Sequence, residues 1–166
     1  MKTAVTLLAA LFIHGAAGAG AFVQYEQSYD GHIELHNQVE YRTIAIYAGN
    51  GDLRVWTDSY SNGANFDPVI TLWHNGIKIA SNDDDQTVDP LYKSRRDAGL
   101  VLFKLPRGSY VVPLSAYPNF ARSANLGDGF AFDNQQPIPI DTWCQPANSG
   151  PGCHSDRHFS LHWSVK

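Results

Sequence analysis

One short segment of the sequence is rich in oxygen ligands. Ser81-Asn82-Asp83-Asp84-Asp85 places three carboxylates and an amide in one turn, directly after a run of strand-forming residues. Adjacent like charges repel, so a compensating cation is expected, and calcium accepts about six to eight oxygen ligands at flexible geometry. The sequence therefore predicts a calcium site. Its candidate ligands are Asn82, Asp83, Asp84, Asp85, Asp67, Asp89 and Asp97.

The same turn has a second interpretation without a metal. Lys93, Arg95 and Arg96 lie in the same long loop and could neutralise the acidic turn through solvated ion pairs, which contribute little to stability. The run also lacks the glycine and the terminal glutamate of an EF-hand loop. Asp67 precedes a proline, a position where its carboxylate could simply cap backbone amides at a strand entry. Both interpretations stay open on the sequence alone.

The two cysteines and three nearby histidines are candidates for reactive or metal-binding groups. Cys144 and Cys153 lie in a Pro/Gly/Asn-rich segment, and in an oxidising compartment we predict that they form a disulfide. A catalytic thiol would need a positioned histidine, and His154 is adjacent only in sequence. His158 and His162 follow at four-residue spacing, which on a strand separates them too far to share a metal without a partner strand, so surface histidines are favoured over zinc.

Aromatic residues offer a different kind of site. Exposed rings stack on sugars, whereas rings on half-buried pleated surfaces fill the core, and both interpretations apply to the aromatics of this chain. The candidates for ligand stacking are Trp56, Tyr60, Trp73, Tyr92, Tyr117 and Trp143.

Familiar catalytic motifs are absent from the sequence. It has no Gly-x-Ser-x-Gly elbow, no His-Glu-x-x-His and no phosphate-binding loop, which favours a non-catalytic protein. A small polysaccharide hydrolase remains an alternative, because a glycosidase needs only two well-placed carboxylates and the 16 acidic residues cannot be sorted by sequence.

The elements that must position these groups are predicted to be strands. Short runs rich in Val, Ile, Tyr, Trp and Phe alternate with Gly/Asn turns, and no helical period stands out. The predicted strands are Val39 to Tyr47, Asp52 to Asp58, Pro68 to His74, Lys78 to Ser81, Leu100 to Leu105, Tyr110 to Tyr117 and His158 to Val165.

Strands of this kind predict an all-β fold, an antiparallel, jelly-roll-like β-sandwich of two packed sheets with two long loops at 82–97 and 121–155. Asn75-Gly76 predicts a type I′ hairpin turn, since both residues tolerate positive φ. The run Leu100 to Leu105 is apolar on both faces, which predicts burial on both sides. Pro113 predicts an edge position or a bulge, because proline cannot donate to a ladder.

The middle of the chain, about Val39 to Phe120, resembles bacterial pre-peptidase C-terminal domains and related secreted jelly-roll proteins. The motifs that carry the resemblance are Asn65 to Leu72, Asn75-Gly76, Ile79 to Asp84, Asp97 and Leu105 to Tyr110. The resemblance implies a β-sandwich, often calcium-stabilised, that serves as an accessory or binding module. By position, Asn82, Asp83, Asp84 and Asp97 match the acidic turn of that family, and Leu105 to Tyr110 match the hairpin that closes the sandwich. The third aspartate, Asp85, the basic segment 93–96 and the cysteine-bearing tail depart from the pattern.

The first 21 residues predict export. Lys2 supplies a positive n-region, Ala4 to Ile13 form an apolar run, and small residues up to Ala21 supply a cleavage site, as in a secretion signal. The run is too short to span a bilayer, and no cysteine follows the cleavage site to accept a lipid. We therefore predict a signal peptide at 1–21, a single β-sandwich domain at 22–166, and a secreted or periplasmic protein without a membrane anchor.

The remaining sequence limits the kinds of partner. The chain carries 12 basic and 16 acidic residues, an acidic balance that makes nucleic acid an unsuitable partner. The leading hypothesis is a secreted, non-catalytic module, calcium-stabilised, that binds an extracellular polysaccharide or protein. The alternative hypotheses are a surface-assembly protein that self-associates through exposed strand edges and the small hydrolase named above.

Overall fold

The chain folds as a β-sandwich of two antiparallel sheets. The computed structural model describes residues 26–60, 66–85, 87–88, 94–145 and 155–166, so the predicted signal peptide at 1–21 lies outside the described residues. Within them, eight strands and a short 3-10 helix at Leu126–Asp128 form, and no α-helix occurs. The strands are β1 (Gln27–His32), β2 (Val39–Ile46), β3 (Gly51–Thr57), β4 (Pro68–His74), β5 (Ile77–Asn82), β6 (Gly99–Leu105), β7 (Gly108–Ala116) and β8 (His158–Val165).

The strand order confirms the predicted fold class. The first sheet has the order β1-β8-β3-β6 and the second β2-β7-β4-β5, with four strands each. This is the arrangement of an eight-stranded jelly roll. Consecutive strands generally lie in different sheets. Within the described residues, the exception is the pair β4–β5, which forms a hairpin in the second sheet. The loops at the ends of the sandwich therefore gather segments that are distant in sequence.

The core lies between the two sheets and follows the period-2 alternation of the strands. In the first sheet, Leu53 and Val55 of β3 face inward beside Phe159 and Leu161 of β8. The inward side chains of the second sheet are Ile44, Ile46, Ile70, Leu72, Tyr110, Val112 and Leu114. Trp163 and Val165 pack against this core at its margin. The alternation predicted for the last strand is thus confirmed.

The predicted hairpin turn is present between β4 and β5. Asn75 has φ 52° and Gly76 has φ 77°, both in the left-handed region that a type I′ turn requires. Strand β1 was not predicted, because its sequence Gln-Ser-Tyr-Asp-Gly-His is polar and contains Gly31. That glycine is required by packing, since a Cβ there would lie 2.5 Å from the Phe159 ring of β8.

Three expectations about β6 and β7 are wrong. Strand β6 is an edge strand, and Val101 and Phe103 on it are exposed rather than buried. Strand β7 lies inside its sheet, so Pro113 is not at an edge; instead the ladder to β4 is interrupted opposite it. The reversal after Leu105 carries the chain from the first sheet to the second and is therefore not a hairpin.

The two sheets differ in how their outer faces are covered. Segment 117–145 lies against the second sheet, where the Lys78 amide donates to Ala124 and the Leu126 amide donates to Gly76, each at 2.9 Å. Outward residues of that sheet, such as Trp73 and Ser115, are consequently buried. On the first sheet, Asp30 and His32 of β1 remain exposed. We call the outer side of the first sheet the open face.

The turn geometry gives a stability prediction. Gly76→Ala should lower the free energy of unfolding by about 1 kcal/mol, because a side chain at positive φ is strained even though the added Cβ meets open space. Gly127→Ala is the matched control, since its Cβ also meets open space without a positive φ, and it should change stability by less than about 0.5 kcal/mol. Urea denaturation measures both, and equal effects of the two substitutions would contradict the assignment.

Candidate functional site

The residues predicted to bind calcium meet at one end of the sandwich. Asp67 immediately precedes β4, the acidic turn follows β5, and Asp97 precedes β6. The Asp85 amide donates to the Asp97 carbonyl at 2.8 Å, and the Gly99 amide donates to Oδ1 of Asn82 at 2.8 Å. We call this region the acidic end. Asp89 and Lys93 lie outside the described residues.

Asp67 is the most unusual group of the acidic end. Its side chain is 3% exposed, and Oδ2 lies 3.3 Å from the Arg96 guanidinium. Its other carboxylate oxygen, Oδ1, is buried without a hydrogen-bond partner. The pKa of Asp67 is raised to about 7, first by burial and then by the negative charges of Asp84 and Asp83, while Arg96 opposes the shift. A buried carboxylate with an unused oxygen therefore faces two more carboxylates.

The pKa of Asp84 is shifted in the same direction. Burial raises it first, the Asp83 carboxylate adds to the shift, and Arg96 lowers it. Arg96, one of the three basic residues named in the metal-free interpretation, thus lies close enough to partly neutralise the acidic end. Within the described residues, no group of three or more His, Cys, Asp or Glu side chains is placed so that it could hold a metal ion.

Other side chains of the acidic end stabilise loops. Oδ1 of Asp97 accepts hydrogen bonds from the Thr57 hydroxyl at 3.2 Å and from the Tyr60 amide at 3.0 Å. Oδ1 of Asp85 accepts from the amide and the hydroxyl of Thr87, at 2.7 and 2.6 Å. The bonds of Asp97 tie the end of β3 to the start of β6, and those of Asp85 close a local turn after β5, so both carboxylates stabilise the loops in this structure.

The cysteine segment is anchored to the acidic end by a residue that the sequence did not reveal. Gln145 is fully buried; its side-chain amide donates to the Asp67 carbonyl at 2.8 Å, and its oxygen accepts from the Asp67 amide at 3.1 Å. Cys144 beside it is disulfide-bonded. Cys153 lies outside the described residues, so the pairing of the two cysteines stays a prediction.

Two of the predicted stacking aromatics are buried and do not present a ring to solvent. Trp73 is 1% exposed and Trp56 is 6% exposed, which corrects the prediction for both residues. Tyr60, Tyr117 and Trp143 are half-buried. Trp143 packs against the core and against the rings of His36 and Phe132, which also makes it structural. Tyr92 lies outside the described residues.

The open face carries a layer of histidines and carboxylates. Trp56 of β3 stacks on His162 of β8, with ring centroids 5.4 Å apart and planes inclined by 12°. Nε2 of His162 lies 3.4 Å from Asp58, and Nδ1 lies 3.0 Å from Glu26. One imidazole thus joins the start of β1 to the end of β3. The sequence did not indicate this cluster because β1 was not predicted.

A cleft of about 660 Å³ opens between the sheets at the side of β2. Thr43 to Tyr47 form one wall, Gln27, Trp163 and Val165 form the other, and the connection up to Gly51 closes one end. Strand β2 is the terminal strand of its sheet, so its outer main-chain groups run along this wall. Tyr47 is 84% exposed at the rim. We call this feature the edge cleft; its volume is typical of ligand sites.

Comparisons with known proteins identify no family for this chain. No model of a protein family matches it. No curated protein matches it either. Among solved structures, it is similar to the crystal structure of PliG from Aeromonas hydrophila, a periplasmic inhibitor of g-type lysozyme, with 12% identity and a TM-score of 0.44 over 88% of this chain and 90% of that one. A likeness at this level carries no argument about function, and the resemblance to pre-peptidase C-terminal domains stays a prediction.

Over the part of the chain that the structure describes, no helix is long and apolar enough to cross a bilayer.

The His162 cluster makes stability depend on pH. Burial lowers the pKa of His162, but hydrogen bonding and charge from Asp58, together with Glu26, raise it more, so the pKa lies above its ordinary value. A raised folded-state pKa stabilises the fold fully below the unfolded pKa of about 6.5, and this contribution is lost as pH rises through the folded value. The free energy of unfolding should therefore fall over this window.

The measurement is urea denaturation across neutral pH. His162→Gln should make the decline shallower, whereas Ser28→Ala, opposite His162 on β1, should leave it unchanged. An equal decline in His162→Gln and wild type would show that the cluster does not cause it.

Proposed function

We propose that this chain is an exported, non-catalytic module that binds an extended segment of an extracellular protein or polysaccharide in the edge cleft. We further propose that calcium stabilises its acidic end. The predicted signal sequence supports export, with the medium or the periplasm as destination. The observation that carries the binding proposal is the edge cleft itself, because it combines a ligand-sized volume with an exposed aromatic rim and a terminal strand.

The terminal strand favours a protein partner. Main-chain groups on the outer edge of β2 have no neighbouring strand within the described residues, and an extended peptide can pair with such an edge as an added strand. Alternate side chains of the peptide would then reach Trp163 and Val165 on the opposite wall. A polysaccharide would depend on Tyr47 and Trp163 as stacking rings instead, so the two partners use the cleft differently.

The binding prediction concerns the rim of the cleft. Tyr47→Ala should weaken binding about tenfold, because exposed aromatic anchors often contribute more than about 1 kcal/mol to an interface. It should leave the melting temperature unchanged, since Tyr47 is 84% exposed. Phe103→Ala is the matched control, an exposed aromatic on the edge strand β6 of the other sheet, and it should bind as wild type does.

Binding is measured first on a glycan array and on a library of displayed unstructured peptides, then by calorimetry with the best ligand of each. Peptide binding lost in Tyr47→Ala supports the protein partner, and glycan binding lost there supports the polysaccharide. Wild-type affinity in Tyr47→Ala would contradict the cleft assignment. A dimer that depends on concentration and disappears in Phe103→Ala would support self-association instead.

The acidic end fits calcium by its donor set. The unused Oδ1 of Asp67 is buried, and Asp83 and Asp84 add negative charge beside it. Arg96 supplies one positive charge to this group of three carboxylates. Asp67, Asp83 and Asp84 would hold the ion. Calcium bound there would neutralise the excess charge and link the start of β4 to the end of β5.

Calcium should therefore raise the melting temperature. At about 10 mM calcium, a site of the affinity usual for extracellular modules contributes about 1–3 kcal/mol, or roughly 3–8 °C. Asp83→Asn/Asp84→Asn should abolish this shift. The control Asp128→Asn, whose carboxylate accepts from Ser123 near the other end of β5, should keep it. A melting temperature equal in calcium and in chelator for wild type would support the ion-pair interpretation with Arg96.

A further inference from the structure

A pair of histidines lies at one end of the open face. His32 is the last residue of β1, His158 is the first residue of β8, and the register places them directly opposite each other. Their ring centroids are 5.6 Å apart with the planes at 72°. Directly opposite residues on antiparallel strands have Cβ atoms about 5 Å apart, so two imidazoles here reach a common point above the sheet. His32 on β1 thus gives His158 a second imidazole on a neighbouring strand, whereas His158 and His162 lie too far apart along one strand to share a metal.

A carboxylate completes the group. Asp30 is two residues before His32 and therefore lies on the same face of β1. Its Oδ1 is 3.8 Å from Nε2 of His158. The hydroxyl of Ser160, opposite Asp30 in register, donates to the same carboxylate. This hydrogen bond orients the carboxylate in the way that outer-shell partners orient metal ligands.

We propose that His32, His158 and Asp30 bind a divalent transition-metal ion, with water in the remaining position. Two imidazoles and one carboxylate suit copper, nickel and zinc, whereas calcium requires oxygen ligands. Bond lengths of about 2.0–2.2 Å at tetrahedral zinc place two ligand atoms about 3.4 Å apart, close to the 3.8 Å between Asp30 and His158. In the positions that the structure gives them, the three side chains are not a group that could hold a metal ion, so binding requires the exposed side chains of His158 and Asp30 to rotate.

The geometry sets the expected order of affinity. A site that does not impose a rigid coordination geometry binds metals in the order of affinity that its ligand types set, which is copper above nickel and zinc. The site is separate from the acidic end, which offers oxygen ligands, and from the edge cleft, which is lined by Gln27, Trp163 and Val165 rather than by histidine. The inference does not depend on the proposed binding function.

The test uses the exported chain without a histidine tag, titrated with copper, nickel and zinc salts by calorimetry in a non-chelating buffer. We expect one ion per chain, with copper bound most tightly. His32→Ala and His158→Ala should each weaken binding at least tenfold, and Asp30→Asn should weaken it less. His162→Gln is the matched control, because His162 is engaged by Asp58 and Glu26 on the same face, and it should bind as wild type does.

A spectroscopic readout keeps the test independent of folding. The electron paramagnetic resonance spectrum of the copper complex should show coupling to two imidazole nitrogens in wild type, and the melting temperatures of His32→Ala and His158→Ala should match wild type without metal. Stoichiometric binding that survives in His32→Ala/His158→Ala would overturn the proposal. Equal loss of binding in His162→Gln would also overturn it, because the metal would then lie elsewhere on the open face.

Discussion

The placement of β8 inside the first sheet is the constraint on which the rest of the structure depends. This last strand pairs with β1 on one side and with β3 on the other. Its inward residues Phe159 and Leu161 complete the core, and Trp163 and Val165 form a wall of the edge cleft. Its outward residues His158 and His162 meet β1 and β3 on the open face. One strand therefore positions side chains in three different environments.

The outer faces of the two sheets differ in the side chains that they expose. Segment 117–145 covers the outer face of the second sheet and buries Trp73, whereas the first sheet exposes polar and titratable groups. Hydrophobic side chains on a covered face contribute to stability, but imidazoles and carboxylates on an exposed face remain available to ions and solvent. The acidic end differs again, because Asp67 is a buried carboxyl group that contacts Arg96. The groups that could do chemistry are thus at the margins of the core rather than within it.

Much of the fold was predictable because its signals are local. Alternation in β8 and the Asn75-Gly76 turn each depend on a few neighbouring residues, and seven strands followed from such patterns. Strand β1 was missed because its polar sequence becomes a strand only when β8 pairs with it and the Phe159 ring covers Gly31. The burial of β6 was wrong for a related reason, since nothing local distinguishes an edge strand from an interior one.

The candidate sites were predictable only in part. The acidic turn is a local signal, and Asp67 was correctly associated with it as a nearby residue. The contacts of Arg96 and Gln145 with Asp67, in contrast, depend on how distant segments return to the start of β4. His32 and His158 are separated by most of the chain, so their proximity follows from sheet order alone. The residue types thus indicated the possible chemistry, whereas the strand order determined which residues lie close enough to act together.

The central position of the last strand also governs when the protein can fold. Strands β1 and β3 are not adjacent to each other in the first sheet and are joined through β8, so this sheet cannot close until the C-terminal residues have been synthesised. Contacts of such long sequence separation form slowly, because the entropy of closing the intervening chain must be overcome first. The topology of the first sheet therefore makes its folding late, because β1 and β3 become part of one sheet only when β8 lies between them.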